Sequence, residues 1–419
     1  MSPLADGLSV NGPRLAHDLE TLGRIGRGPG GGINRTSFSP ADTEARAWLL
    51  ARCAEAALSV TVDGIGNLIV SPAYTATVAA HPAVWSGSHI DTVPNGGAFD
   101  GALGVLAALE CVRRIQEEGP ELLRPVRLVV YTDEEGNYAH LFGSSALARG
   151  FSRAELEALT GRDGDRFADT FATVGGDITA ATTTRLDAGY LHATVELHIE
   201  QGPTLEERGH QIGVVTGIVA LGGGVVSFLG RADHAGTTPM TRRKNALTAA
   251  GALLVALPEL AAGVSEHAVV TSGIVAVEPG SANVVPAIAR VTVDFRETQA
   301  DRVTALETAI VDESQAIAAR YGLDVEFAFE LTIAPTLLDV GIQATIAEAA
   351  AARGLSFSSL PSGAGHDSQN MARLAPTGMI FVPSIGGRSH CPEESTDWPD
   401  IENGANVLLD TLLRLARAV

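Results

Sequence analysis

The stretch WSGSHIDTVPNGGAFDGALGV, residues 85–105, decides the fold because it predicts a strand, a glycine-rich loop and a helix in succession. Its ionisable side chains are His89, Asp91 and Asp100. His89 and Asp91 are two residues apart at a strand end, so their side chains point to one face. An imidazole beside a carboxylate is typical of a metal ligand whose ring is held by a second group. Asp100 precedes the helix, whose dipole favours an anion. Helix capping by Asp100 and a surface pair for the other two residues remain the alternative.

Short apolar runs around this stretch predict an α/β fold with a buried parallel sheet. AVWSGSHI and RPVRLVVYTDE have the composition of buried strands, and GALGVLAALECVRRIQEEG between them predicts a crossover helix. Upstream, LSVTVDGIGNLIVSP predicts a hairpin broken at Asp63-Gly64. Ser39 is expected to cap a helix that runs to about Ala56.

The pattern changes between about Gln211 and Phe329, where the predicted order is strand, strand, helix, strand, strand, helix, strand. This order favours an α+β sandwich inserted as a unit. After Leu331 the predicted order is helix, loop, strand, loop and final helix. At 419 residues the chain is expected to form two domains. We therefore predict a discontinuous catalytic domain of residues 1–210 and 330–419, and an inserted domain of residues 211–329.

The composition of the chain limits the classes of partner that the protein is expected to bind. The formal net charge of −20 argues against binding to a phosphate backbone. The three cysteines, Cys53, Cys111 and Cys391, are too few and too scattered for a disulfide framework and fit a reducing compartment. The N-terminal residues lack a signal-peptide pattern, and the apolar runs look shorter than a membrane span. We expect a cytoplasmic protein with neither nucleic acid nor membrane as a partner.

A second group of acids, Asp133, Glu134 and Glu135 in YTDEEGN, directly follows a predicted strand. The carboxyl ends of strands are where open α/β sheets build their sites. Adjacent glutamates diverge, so one can bind a metal while the other takes a proton from water. Acid clusters that follow strands are usually solvated loops, and this is the alternative.

Two further histidines, His198 and His390, also lie close to acidic residues. His198 lies in VELHIEQGP, where strand alternation places Glu196 and Glu200 on its side, and His390 lies in the glycine-rich GGRSHCPEE. A lone histidine is more often structural than a ligand. Together, however, three imidazoles and two carboxylates could hold two ions with Asp100 as the bridge, the five being His89, Asp100, Glu135, His198 and His390. Such a mixture of nitrogen and oxygen ligands suits Zn, Mn, Co or Ni and disfavours Ca.

Seven segments resemble the M20 metallopeptidase superfamily: GSHIDTVPNGGAFDG, EEG, HIEQGPTLE, HAGTTPM, NVVPAIARVTVDFR, SGAGHDS and SH. More narrowly, they resemble its amidase branch of N-carbamoyl-L-amino-acid hydrolases, β-ureidopropionases and allantoate amidohydrolases. The resemblance covers nearly the whole chain, in the family's order. It implies a zinc-exopeptidase-like three-layer catalytic domain with an inserted ferredoxin-like domain that serves as a lid and a dimerisation surface.

The resemblance also implies roles for the metal-site residues. His89 and His198 would bind one ion, Glu135 and His390 the other, and Asp100 would bridge the two. Asp91 would orient His89, and Glu134 would be the general base.

Five further residues are implied as substrate contacts. His234 and Asn283 would stabilise the oxyanion, and Gln201 and His366 would contact the substrate near the metals. Arg296 would bind a substrate carboxylate, a role that suits a bidentate guanidinium. An ordinary surface arginine at a strand end is the alternative for Arg296.

The chain departs from the family after EEG. The family commonly continues with a small residue, arginine and phenylalanine, whereas EEGNYAHLFGSS is about two residues shorter and lacks that pair. Tyr138 and His140 either reshape the pocket or fill the loop. The sequence therefore does not indicate which side chain the substrate carries.

We expect hydrolysis of a linear C–N amide or ureido bond in a small substrate that carries a carboxylate, by a homodimer. An aminoacylase or dipeptidase of the same superfamily is the nearest alternative. A non-catalytic ligand-binding member is a remote alternative, because every implied ligand and the base are present.

Overall fold

The structure is a computed structural model that describes residues 7–417, with the side chains of 330–333 left out. Its helices are α1 Gly12–Leu22, α2 Pro40–Glu55, α3 Ala76–Ala79, α4 Ala102–Glu118, α5 Phe142–Ala148, α6 Arg153–Ala158, α7 Phe167–Thr173, α8 Ile178–Ala181, α9 Thr204–Arg208, α10 Ala246–Val264, α11 Ala300–Tyr321, α12 Val340–Ala352, α13 Ser368–Met371 and α14 Trp398–Arg417. Its strands are β1 Ser59–Val62, β2 Leu68–Ser71, β3 Ala83–His89, β4 Val126–Tyr131, β5 Leu191–Ile199, β6 Ile212–Ile218, β7 Ala220–Leu229, β8 Asp233–His234, β9 Val269–Thr271, β10 Val275–Glu278, β11 Val284–Val285, β12 Ile288–Glu297, β13 Asp324–Ile333, β14 Thr336–Leu337, β15 Phe357–Ser362 and β16 Thr377–Val382.

The chain divides into two compact units. The smaller unit comprises Gly217–Leu337 and Gly363–Gly365, and the larger unit comprises the rest. The predicted domain boundaries lie at 210/211 and 329/330. Strand β6, which the sequence analysis assigns to the inserted region, pairs through Gly213 and Val214 with β16 of the larger unit. An apolar, β-branched run does not indicate which sheet it will join, so its partner could not be predicted from the sequence.

The larger unit is built on a mixed sheet whose central strands are parallel. Its strand order is β1-β2-β4-β3-β5-β16-β6, with β15 also pairing with β6. β4, β3, β5 and β16 are parallel to one another, and β1 and β2 form the predicted hairpin. Every residue of β3 and of β16 is buried, which is typical of the central strands of a sheet covered on both faces. The predicted parallel strands and crossover helix α4 are confirmed.

Helices cover both faces of this sheet. α1, α4, α12 and α14 share one large apolar core with one face, while α5 and α13 lie against the other. Ser39 caps α2, where its hydroxyl accepts a hydrogen bond from the main-chain N–H of Asp42, as predicted. The larger unit is thus the expected three-layer α/β structure.

The smaller unit is an antiparallel sheet covered by two helices. The strand order is β10-β12-β7-β13, and the chain order β7-α10-β10-β12-α11-β13 is that of a ferredoxin-like α+β fold. The inserted α+β fold is therefore confirmed. The single strand predicted for AVVTSGIVAV is two short strands, β9 and β10, which both pair with β12.

Helix α10 corrects one expectation. It has 19 residues and a mean hydropathy of 1.8, enough by length and composition alone to cross a membrane, whereas the sequence analysis predicts apolar runs shorter than a span. One face of α10 is buried in the smaller unit's core, through residues such as Ala250, Leu253 and Leu257. A single helix of this kind is weak evidence for a membrane span, because a core helix meets the same criteria.

The close approach of α4 to the sheet requires glycine at position 104. A Cβ there would lie 2.4 Å from the main-chain oxygen of Leu197. We predict that Gly104→Ala lowers the free energy of unfolding by about 1–3 kcal/mol, the usual cost of overpacking. Urea unfolding followed by circular dichroism measures this change.

Gly251 in α10 is the matched control, since a Cβ there would have no atom of the described residues within 4 Å. Gly251→Ala is expected to be neutral or stabilising by up to about 1 kcal/mol, because alanine is the better helix former. Equal stability of the Gly104 variant and the wild type would contradict this account of the packing.

Candidate metal centre

The carboxyl ends of four parallel strands bring the ionisable residues together. β3 ends at His89, β4 leads into Asp133 and Glu134, and β5 carries His198 one residue before its end. The loop after β16 carries His390. Parallel strands end at the same edge of a sheet, which is why residues from distant parts of the sequence meet there.

Asp100 lies at the middle of this group. Its Oδ1 is 3.2 Å from Nε2 of His198 and 3.5 Å from Nε2 of His89. Its Oδ2 is 3.1 Å from Nε2 of His390, which in turn is 3.6 Å from Oε1 of Glu135. One carboxylate therefore contacts three imidazoles.

Two potential metal-binding groups share this carboxylate. They are His89–Asp100–His198 and Asp100–Glu135–His390, and within each group the ligand atoms lie within 4.8 Å of one another. The first group is buried, whereas Glu135 is partly exposed and His390 is exposed. The structure thus brings together the five residues singled out as candidate ligands, in the same two sets.

The charges of this group fit a divalent cation. Burial raises the pKa of Glu134 well above its usual value. Burial and the nearby charge of Asp100 raise the pKa of Glu135 to about 7. Burial alone would raise the pKa of Asp100, but hydrogen bonds from His198, His390 and His89 hold it well below its usual value. Buried carboxylates are costly without a compensating charge. Imidazole nitrogens mixed with carboxylate oxygens suit a transition metal or zinc.

Asp91 connects two loops of the site. Nδ1 of His89 donates to the main-chain oxygen of Asp91 at 3.0 Å and is 3.6 Å from its carboxylate. That carboxylate accepts hydrogen bonds from the main-chain N–H groups of Glu134 and Glu135, at 3.3 and 3.2 Å. The His89 ring is thus held more closely by the carbonyl of Asp91 than by its side chain.

Glu394 is a functional candidate that sequence reasoning missed. Its carboxylate accepts hydrogen bonds from the main-chain N–H groups of Phe99 and Asp100, at 2.8 and 3.0 Å. It also accepts one from Ser389 Oγ at 2.7 Å. Glu394 therefore fixes Asp100 relative to the loop of His390. Glu393 and Glu394 are adjacent acids in the sequence, and nothing in it indicates which one is buried.

Three non-glycine residues at the site have left-handed backbone conformations. Their φ angles are 56° at Asp133, 60° at Gln201 and 56° at His390. Such angles are uncommon outside glycine and concentrate at functional sites. The carboxylate of Asp133 supports its turn by accepting hydrogen bonds from three main-chain N–H groups, those of Asn137, Tyr138 and Ala139.

Gln201 and His366 both border the candidate ligands. Nε2 of Gln201 donates to Oδ2 of Asp100 at 2.7 Å. Its buried Oε1 has no hydrogen-bond partner within the part of the chain that is described. The His366 ring lies 4.6 Å from that of His198, and burial, together with the His198 ring, lowers its pKa well below the usual value. His366 is therefore neutral.

The alternation predicted for β5 holds for Glu196 and His198 but not for Glu200. Glu196 is buried and accepts hydrogen bonds from Ser88 and Ser368, at 2.7 and 2.6 Å. Glu196, His198 and His366 form a third group with metal-ligand spacing. β5 ends before Glu200, whose carboxylate accepts the first main-chain N–H groups of α9.

His234, Asn283 and Arg296 belong to the smaller unit. Nδ1 of His234 accepts hydrogen bonds from the main-chain N–H groups of Gly236 and Thr237, so a neutral ring carries its proton on Nε2. Oδ1 of Asn283 accepts a hydrogen bond from the Ser281 hydroxyl. The donors of this side chain are the two N–H groups of its amide nitrogen. Arg296 binds Asp294 and the carbonyl of Gly363.

The three-layer fold, with histidines and carboxylates gathered at the strand ends, defines a class of metal-dependent hydrolases. Residues 85–414 match the sequence profile of Peptidase family M20/M25/M40, and the chain belongs to that family. The family resemblance and the three-layer fold predicted from the sequence are confirmed.

The relatives identify the branch. The chain is 36% identical to an N-carbamoyl-L-amino-acid amidohydrolase of Paenarthrobacter aurescens, over 96% of this chain and 98% of that protein. It is 33% identical to the allantoate amidohydrolase of Escherichia coli, over 96% and 97% respectively. A hydantoinase/carbamoylase family amidase from Burkholderia multivorans has a similar structure, with a TM-score of 0.89 and 34% identity over 98% of this chain and 99% of that one. The chain is thus a hydrolase of the amidase branch, which acts on carbon–nitrogen bonds other than peptide bonds.

The position of Glu394 leads to a prediction about metal affinity. In Glu394→Gln an amide replaces the carboxylate that faces three donors, so Asp100 is held less firmly. We expect metal affinity to fall about 10- to 100-fold, as for other residues that orient ligands. Metal content after dialysis against graded chelator measures the change.

Glu393→Gln is the matched control, because Glu393 is exposed and its ion pair among the described residues is with the exposed Arg388. It is expected to bind metal like the wild type. Wild-type affinity in the Glu394 variant would show that this carboxylate does not support the centre.

Proposed function

We propose that the enzyme hydrolyses a linear C–N amide or ureido bond in a small substrate that carries a carboxylate, such as an N-carbamoyl amino acid or an allantoate-like compound. The observation that carries this proposal is the Asp100 carboxylate, which belongs to two ligand groups and contacts three imidazoles. The activities named for the relatives support this class of substrate.

Two divalent ions per subunit are proposed. His89 and His198 would hold one ion, and Glu135 and His390 would hold the other. Asp100 would contribute to both sites. Zn, Mn, Co and Ni fit these donors. When bound, such ions lower the pKa of a water molecule and neutralise charge that develops on the carbonyl oxygen.

Glu134 is proposed as the general base. Its Oε2 lies 3.6 Å from Nε2 of His89, so it borders the ligands, yet it belongs to neither Asp100 group. It would accept a proton from the attacking water and deliver it to the leaving nitrogen. For a ureido substrate, the carbamate released would decompose to carbon dioxide and ammonia.

The remaining candidate residues are proposed to bind the substrate. Nε2–H of His234 and the amide of Asn283 are donors suited to an oxyanion. The Arg296 guanidinium suits the substrate carboxylate. Gln201 and His366 adjoin the proposed metal ligands and are suited to contact the reacting end of the substrate.

An aminoacylase or dipeptidase would use the same centre and differ in the substrate that it admits. The activities named for the relatives favour the carbamoyl or allantoate reaction. A purely ligand-binding role would leave no task for a buried glutamate beside the ligands. We also propose a cytoplasmic location, which suits the free thiols of Cys53, Cys111 and Cys391.

We propose that two copies of the chain associate through the smaller unit. Its edge strands β9 and β10 expose Val269 and Val275, and Ile274 between them is 64% exposed. α10 packs against β9 and carries Val255, which is 80% exposed. An apolar edge of this kind is suited to pairing with another strand.

The role of Glu134 is tested by Glu134→Gln. The amide cannot accept a proton, so turnover should fall by at least about a thousandfold while the metal content stays at the wild-type value. Ammonia release from N-carbamoyl amino acids and allantoate, and amine release from N-acyl amino acids, are measured in parallel with and without chelator. Near-normal turnover of the metal-loaded variant would exclude Glu134 as the base.

Sedimentation equilibrium tests the proposed dimer. The wild type is expected to sediment at about twice the mass of one chain, and Val255→Glu combined with Val275→Lys at the mass of one chain, because charges on an apolar interface oppose association. Val62→Lys, at an exposed valine of β1 in the larger unit, is the control and should remain dimeric. A monomeric wild type would refute the proposal.

A further inference from the structure

The turn between β1 and β2 ends in Asn67, a polar residue that is fully buried. Its amide nitrogen donates to the Asp63 carboxylate at 2.8 Å and to the main-chain oxygen of Gly143 at 3.1 Å. Its amide oxygen accepts a hydrogen bond from the main-chain N–H of Thr132 at 2.9 Å. One turn residue therefore contacts two segments that follow it by 65 and 76 positions in the sequence.

The main-chain partners fix the orientation of the Asn67 amide. The carbonyl oxygen of Gly143 only accepts hydrogen bonds, so it has to face the amide nitrogen. The main-chain N–H of Thr132 only donates, so it has to face the amide oxygen. Reversal of the amide would break both hydrogen bonds. The side chain thus supplies one donor and one acceptor in a fixed arrangement.

Thr132 and Gly143 are the two ends of the segment that carries Glu134 and Glu135. Thr132 directly follows β4, and Gly143 is the second residue of α5. The main-chain N–H of Gly143 donates to the main-chain oxygen of Thr132 at 2.7 Å, so the two ends meet. Asn67 bonds the other main-chain group of each end, the N–H of Thr132 and the carbonyl of Gly143. The Asn67 amide therefore completes the closure of this segment.

The closure is tightly packed and lies close to the candidate ligands. A Cβ at Gly143 would lie 2.2 Å from Oδ1 of Asn67 and 2.4 Å from the main-chain nitrogen of Thr132, so glycine permits the approach. Glu134 and Glu135 follow Thr132 by two and three positions. The positions of both carboxylates therefore depend on how firmly the ends of the segment are held.

We propose that Asn67 is a positioning residue for the hydrolytic reaction, which holds residues 132–143 so that Glu135 meets His390. This inference rests on the proposed function, because it uses the role given there to Glu135 as a ligand of one ion. Asn67 acts through the main chain of the segment that it closes. His89 and His198 lie on β3 and β5, outside that segment. Loss of the Asn67 amide should therefore weaken the ion site of Glu135 and His390 and spare the other.

Release of bound manganese tests this role. The number of ions per chain is measured after dialysis against graded chelator. Asn67→Ala is expected to release one ion at about 10- to 100-fold lower chelator concentration than the wild type, the usual loss for residues that orient ligands. The second ion should be released at the wild-type concentration.

Glu135→Gln, which lacks the carboxylate ligand, identifies the ion that is released. Combining Asn67→Ala with Glu135→Gln should weaken metal binding no further than Glu135→Gln alone, because both changes act on one site and their effects are then not additive. A merely structural role of Asn67 would lower the affinity for the remaining ion as well.

Val70→Ala is the matched control, because Val70 is a buried core residue of β2 in the same hairpin. It should lower the urea midpoint and release both ions at the wild-type chelator concentrations. Asn67→Ser is measured beside Asn67→Ala, since its hydroxyl is too short to bond both Thr132 and Gly143. It should lose the same ion.

Release of both ions at lower chelator concentration in the folded Asn67 variants, or of neither ion, would overturn the inference and leave the proposed function intact. Failure of both variants to fold would also overturn it, because Asn67 would then serve the fold as a whole. A wild type that binds only one ion per chain would refute the proposed two-ion centre, and this inference with it.

Discussion

The contact on which the rest of the site depends is that between the Asp100 carboxylate and three imidazoles. Its two oxygens lie 3.1–3.5 Å from Nε2 of His89, His198 and His390. These residues come from three different parts of the chain. The sheet brings them together because β3, β5 and β16 are parallel and end at one edge. The charge of Asp100 is buried, so its position has to be fixed by the surrounding protein.

Several features of the fold serve that purpose. Glu394 accepts the main-chain N–H of Asp100, and Asp91 connects His89 to the loop of Glu134 and Glu135. Gly104 lets α4, which begins directly after Asp100, approach β5 closely. The left-handed residues Asp133, Gln201 and His390 turn the chain sharply where the loops meet. The strain in these loops is tolerated because the buried sheet beneath them is rigid.

The sequence predicts much of this architecture and of the candidate site. The buried strands, the crossover helix and the cap at Ser39 follow from local patterns, which act within a few residues. The five candidate ligands follow from residue types at strand ends combined with the family resemblance. Glu394, the hydrogen bonds of Asp133 and the sheet that β6 joins could not be predicted, because each depends on contacts between residues distant in sequence. The position of the Tyr138 ring depends likewise on its packing against Phe167 of α7.

Anomalous X-ray scattering from a crystal of the enzyme loaded with manganese or zinc tests the central claim most directly. The account predicts two peaks per chain, one beside His89 and His198 and the other beside Glu135 and His390, with Asp100 as a ligand of both. A single peak, or two peaks that do not share the Asp100 carboxylate, would contradict it.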